Sequence, residues 1–179
     1  SGLTGEIPPD LFGSTKLSGR PQGFSGTFSG CGGLTGAIPP DLFGGVTNDD
    51  GTVLHGEPAY EMFSGTFNGC GGLTGEIPET LFGFLTGTPK QSMFSSTFAY
   101  CYGLTGSIPD YLFGDLYGEP APYMFFNTFY LCSGLTKIPE TLFGRINGPV
   151  QSYMFRSTFQ GCVGLTGDSA KVYVENEGV

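Results

Sequence analysis

The stretch Met62-Phe63-Ser64-Gly65-Thr66-Phe67-Asn68-Gly69-Cys70-Gly71-Gly72-Leu73-Thr74-Gly75-Glu76-Ile77-Pro78-Glu79-Thr80-Leu81-Phe82-Gly83 decides how this chain is read, because it recurs along the whole length. Its Leu-Thr step stands at Leu3, Leu34, Leu73, Leu104, Leu135 and Leu165, at spacings of 31, 39, 31, 31 and 30 residues. Cys31, Cys70, Cys101, Cys132 and Cys162 form one column, and Ile7, Ile38, Ile77, Ile108 and Ile138 another. A unit of about 31 residues cannot bury its apolar face alone, so neighbouring units must stack. Fifteen of the 17 phenylalanines fall in three columns, headed by Phe12, Phe24 and Phe28. At ~1.5–3 kcal/mol per buried Phe, those columns can carry the core.

Within the unit, Phe63, Phe67 and Cys70 stand at i, i+4 and i+7, which predicts one face of a short helix. Gly71-Gly72 is read as its stop. Leu73 to Ile77, bounded by Gly and Pro, predicts a narrow strand, and the residue before a proline is held extended. Proline at a first helical position then predicts a single helical turn through Leu81-Phe82. The expected fold class is a mixed α/β repeat solenoid, leucine-rich-repeat-like, with short strands on one face and short helical turns on the other. Residues 1–179 are read as one domain of about five to six repeats, with an insertion at 45–58 and a C-terminal cap at 167–179.

Composition bounds the function. Glycine and proline make up 45 of 179 residues, yet 39% of residues are hydrophobic, 15% aromatic and only 13% charged. That balance buries a core and argues against disorder. Sixteen acids against seven bases give a formal charge of −9, and the bases never cluster. A nucleic-acid or anionic-membrane surface needs a basic patch, so neither partner is expected. No apolar run approaches the ~18–20 residues of a membrane span, and membrane insertion is not expected.

Thr-Phe-x-x-Cys-x-x-Leu-Thr-x-x-Ile-Pro resembles the BspA-like leucine-rich repeat of bacterial surface proteins, in which Ala-Phe-x-x-Cys-x-x-Leu precedes an Ile-Pro strand. The likeness covers nearly the whole chain. Two departures stand out: the longer period, and Thr in place of Ala at Thr27, Thr66, Thr97, Thr128 and Thr158. The resemblance implies surface adhesion or partner binding, and an extracellular or bacterial cell-surface location.

Residues suited to chemistry are few. One cysteine per repeat, 30–39 residues apart, reads as a buried column of free thiols. There is no Cys-x-x-Cys and one histidine, so no zinc site is expected. Asp49-Asp50 sits in a loop too short for an EF-hand and reads as a turn. His55 reads as a solvated loop residue. Asp10, Asp41, Glu79, Asp110 and Glu140 follow Ile-Pro in successive repeats and read as helix-start acids on a solvated face. No catalytic, cofactor or metal residue is assigned. Two threonine columns, one before the second Phe and one after Leu, leave ice binding as a minor reading. Against it, the first column can bond back to a carbonyl.

In a repeat array, the positions where units differ are the candidates for display. The second repeat is eight residues longer, and Val46-Thr47, Asn48-Asp49-Asp50-Gly51 and Thr52-Val53-Leu54 predict a small hairpin. Tyrosine concentrates later, at Tyr100, Tyr102, Tyr111, Tyr117, Tyr123 and Tyr130, and suits an interface as well as space filling beside glycine. Candidate partner-binding residues are therefore Asn48, Asp49, Asp50, Val53, His55, Tyr100, Tyr102, Tyr111 and Tyr130. At the edges, Ser1-Gly2-Leu3 opens partway through a unit, and Lys171 to Glu175 alternates like an edge strand. A longer array and an edge covered by another chain both stay open. The expected function is non-catalytic binding of a protein or glycan; the alternative is a structural spacer or filament subunit self-associating through repeat edges.

Overall fold

A computed structural model of the chain describes residues 2–9, 11–12, 23–44, 56–143 and 145–166. Among these there is no helix. The elements are seven short strands: β1 (Thr4–Gly5), β2 (Gly33–Leu34), β3 (Thr86–Gly87), β4 (Thr105–Ser107), β5 (Asp115–Gly118), β6 (Gly134–Lys137) and β7 (Arg145–Ile146). All pair in parallel, β1 with β2, β4 with β6, and β3, β5 and β7 in that order. Single bridges from Gly36 to Leu73 and from Gly75 to Leu104 continue the Leu-Thr ladder from the β1–β2 pair to the β4–β6 pair. Each repeat thus lies on the next at the same register.

The expected mixed α/β class is overturned, and the segment around Phe63 shows why. Phe63 N–H donates to Met93 O in the next repeat at 2.9 Å, Gly65 N–H to Ser95 O at 2.8 Å and Phe67 N–H to Thr97 O at 2.8 Å. The residues between them turn inward: Thr66 N–H donates to Phe63 O at 3.2 Å, and Cys70 N–H to Phe67 O at 3.0 Å. An α-helix requires i to i−4 bonds throughout. Here alternate amides leave the repeat altogether, and the result is a ribbon of consecutive tight turns. Every fourth residue of the ribbon has left-handed φ, as at Gly65 (62°) and Gly69 (77°), Ser96 (55°) and Tyr100 (61°), Asn127 (54°) and Leu131 (61°). A period of four places Phe63 and Phe67 on one side, as a helix would, so the spacing alone did not separate the two. The expected helical turn after Ile-Pro is likewise a β-turn, with Leu81 N–H donating to Pro78 O at 3.2 Å.

L-residues in the left-handed region cost about 1–2 kcal/mol each. Gly26 and Gly65 occupy the column that Ser96 fills later. Ser96→Gly is therefore expected to stabilise the chain by about 1 kcal/mol, a rise of ~2–4 °C in Tm. A thermal melt showing no rise would contradict the strain.

The core is a spine of rings. Phe24, Phe63, Phe94, Phe125 and Phe155 stack 5.6–5.9 Å apart within 13° of parallel. Phe28, Phe67, Phe98, Phe129 and Phe159 do so at 5.5–5.6 Å. A third column through Phe12, Phe43, Phe82 and Phe113 meets the first at a tilt, for example Phe113 against Phe94 at 4.5 Å and 47°. Tilted and offset rings are the favoured geometries of aromatic pairs.

Polar side chains inside the spine are satisfied by the ribbon's carbonyls. Thr66 Oγ1 lies 2.8 Å from both Phe63 O and Phe24 O of the preceding repeat, and Thr97 and Thr158 repeat the arrangement. Thr66, Thr97, Thr128 and Thr158 are fully buried. The other threonine column, Thr4, Thr35, Thr74, Thr105, Thr136 and Thr166, is exposed.

Candidate functional site

The outer face of the turn ribbon carries the residues that vary. In the column holding Gly30, Gly69 and Gly161, the third repeat has Tyr100, whose φ of 61° keeps the left-handed turn at the expense of strain. Tyr100 N–H donates to Tyr130 O at 2.8 Å, which fixes the two residues on neighbouring rungs. Their rings meet edge to face at 5.3 Å, and Tyr102 meets Tyr100 in the same way at 6.3 Å. Tyr102 leans over Gly71, where an added Cβ would sit 3.1 Å from Cδ2, so part of its role is to fill the space that glycine leaves. Tyr100 and Tyr102 nevertheless keep 39% and 52% of their surface exposed.

Of the sequence candidates, the structure brings together Tyr100, Tyr102 and Tyr130. Tyr111 is 58% exposed but stands apart, on the turn after Pro109, beside Glu79, Thr80 and Asp115. Asn48, Asp49, Asp50, Val53 and His55 lie outside the described residues, as do the predicted hairpin around them and the predicted cap at 167–179.

A second aromatic group was not among the candidate residues, although Tyr123 was counted in the tyrosine-rich stretch. Tyr123 and Tyr153 stack at 5.1 Å and 23°, Phe126 packs on Tyr123, and the Arg156 guanidinium lies 5.2 Å from the Tyr153 ring centre. Tyr123 and Tyr153 also hold left-handed φ, at 56° and 55°. The signal was present: both precede Met-Phe at the same register.

The cysteines are placed for packing. Cys70, Cys101, Cys132 and Cys162 each donate an S–H to a Phe carbonyl one repeat back, at 3.0–3.1 Å, and all five thiols are free and buried. Burial lifts the Cys70 thiol from 9.0 to about 11 and the Cys162 thiol to about 12, and raises Cys101 and Cys132 as well. They stay protonated near neutral pH and supply no thiolate. In the unfolded chain they ionise from about 9.0, so their share of stability is complete below that pH and falls as pH rises toward about 12. At ~pH 10 the native protein is expected to resist iodoacetamide at these four positions, while urea exposes all of them. Rapid native alkylation would contradict this packing.

Among the described residues, no three acids, histidines or cysteines converge to hold a metal ion, and no helix is long and apolar enough to cross a membrane. Comparison with protein-family models, with curated proteins and with solved structures finds no match to this chain.

Proposed function

We infer that the chain is a non-catalytic binding module of a bacterial surface or secreted protein, the setting that its BspA-like resemblance implies, and that it recognises a protein or glycan. The observation that carries this reading is the cluster of Tyr100, Tyr102 and Tyr130 on adjacent rungs of a hydrogen-bonded ladder. Tyrosine offers large amphipathic contact area with only two side-chain torsions to immobilise. A rigid ladder beneath it lowers the ordering cost of association further. The strain at Tyr100 points the same way, since glycine fills that column in three other repeats.

The test is binding of the immobilised chain to a panel of matrix proteins and glycans. Tyr100→Ser with Tyr130→Ser is expected to weaken a hit at least ~10-fold, the scale of a lost interface anchor. A variant lacking residues 46–57 is expected to keep it. The opposite pattern would move the site to the insertion. No hit, with mass rising with concentration, would favour the spacer or filament alternative.

A further inference from the structure

A second surface, which shares no lining residue with the tyrosine cluster, runs where Ile-Pro turns follow one another. It is a shallow groove of about 530 Å³ that crosses four rungs and is lined by Pro40, Pro78, Pro109 and Pro139. Its apolar floor rests on Ile38, Ile77 and Ile108, and its charged lining is Glu76, Glu79 and Asp110 against the single cation Lys137. The expected helix-start role of Glu79 and Asp110 fell with the helix, so their alignment needs another account.

Two of the three carboxylates meet the next repeat. Glu76 lies across Gly106, where an added Cβ would come within 2.7 Å of Oε1. Asp110 accepts a hydrogen bond from the Thr141 hydroxyl. Glu79, Asp110 and Glu140 recur at one turn position, where the preceding repeat has Pro40, so like charges stand on successive rungs, an arrangement that is unfavourable by itself. Arg145, five residues after Glu140, is already paired with Asp115, which leaves Lys137 as the cation of the groove lining. The groove therefore keeps a negative field in a chain whose formal charge is −9.

An open groove of this kind does not enclose a small molecule, since ligand pockets bury most of their occupant. Nor do the acids converge on a point as a metal site requires. The groove runs about 15 Å, three rung spacings of ~4.8 Å, which an extended chain covers with ~5 residues, and its carboxylates sit on the two neighbouring rungs of Pro78 and Pro109. Proline and isoleucine beneath acidic edges suit side chains that lay an apolar stem down and carry a cation at the tip. We propose that the Ile-Pro groove docks an extended, arginine- or lysine-bearing segment of a partner protein. The charge complementarity is carried by Glu76, Glu79 and Asp110, independently of the tyrosine cluster.

The probe is a fluorescein-labelled hexa-arginine peptide, followed by anisotropy at low salt, with hexaglutamate as the inverted control. Glu76→Gln with Glu79→Gln is compared with a charge-matched pair on other surfaces, Glu57→Gln with Glu119→Gln. All four side chains are exposed, so folding should survive, and a thermal melt checks it. The groove pair is expected to weaken hexa-arginine at least ~10-fold and the matched pair less than ~3-fold, with Tyr100→Ser/Tyr130→Ser unchanged and binding fading as salt rises. Equal losses in the two pairs would mean attraction to net charge alone and would overturn the proposal. So would no binding, or equal binding of hexaglutamate.

Discussion

Gly103→Ala is expected to destabilise the chain by about 3 kcal/mol, at the upper end of what overpacking costs. An added Cβ would sit 2.3 Å from Leu73 O and 3.1 Å from Gly71 O, both backbone atoms of the preceding repeat. A side chain can swing aside; a main-chain carbonyl two residues from the Gly75–Leu104 bridge cannot, so the two repeats must separate. The same contact recurs at Gly72 with Leu34 O (2.4 Å), Gly134 with Leu104 O (2.4 Å) and Gly164 with Leu135 O (2.6 Å). The column is therefore a condition of stacking. The control is Gly83→Ala, where the nearest atom is Thr80 O at 3.5 Å, an ordinary contact. That variant should stay within ~0.5 kcal/mol of the parent. Urea titration of the two decides the matter, and equal midpoints would refute the steric account. Because a stacked array gains most of its stability at junctions between neighbours, a reduced m-value for Gly103→Ala would further show separate unfolding of its two halves.

Phe94→Ala is expected to be at least as severe, about 3–5 kcal/mol. Phe94 is fully buried, stacked on Phe63 at 5.8 Å and Phe125 at 5.9 Å, and tilted against Phe82 at 5.2 Å and Phe113 at 4.5 Å. Truncation leaves a void that four rings cannot fill without giving up their own stacking. Against a total stability of ~5–15 kcal/mol for a typical domain, either substitution removes a large share. Phe155→Ala, at a position only half-buried, should cost less. A Phe94→Ala loss under ~1.5 kcal/mol would mean that the spine relaxes around the gap.

The columns of Phe, Cys and Ile were legible from spacing alone, because a burial pattern repeated in register is visible without knowing the backbone between its members. The backbone itself was not. Phe63, Phe67 and Cys70 satisfy a helical template, and a ribbon of four-residue turns satisfies it equally well. What separates them is the column Gly26, Gly65, Ser96, Asn127 and Ser157. Gly, Asn and Ser at a fixed place signal left-handed turns, and only glycine and asparagine are routinely at ease there. The glycines after each cysteine were read as helix stops; their function is close approach between carbonyl and Cα. At the candidate site, the tyrosines stood out by their concentration within 31 residues and not by column, since Leu131 continues the column of Tyr100; the structure joins Tyr100 and Tyr130 with Tyr102. Tyr111 was grouped by proximity in sequence, and a proline turn carries it to a different face.

The ribbon's hydrogen bonds have one more consequence, which is electrical. Phe24, Phe63, Phe94 and Phe125 all donate N–H toward the repeat that follows, and so do Gly26, Gly65, Ser96 and Asn127. In an ordinary sheet such dipoles alternate and largely cancel. Here they share one direction, so each repeat extends a macrodipole that runs along the stack, as a helix extends its own along its axis. Amide hydrogens lead toward the later repeats and carbonyl oxygens toward the earlier ones. The two directions along the array are thus unequal in polarity, with anions favoured ahead of the leading amides and cations behind the trailing carbonyls.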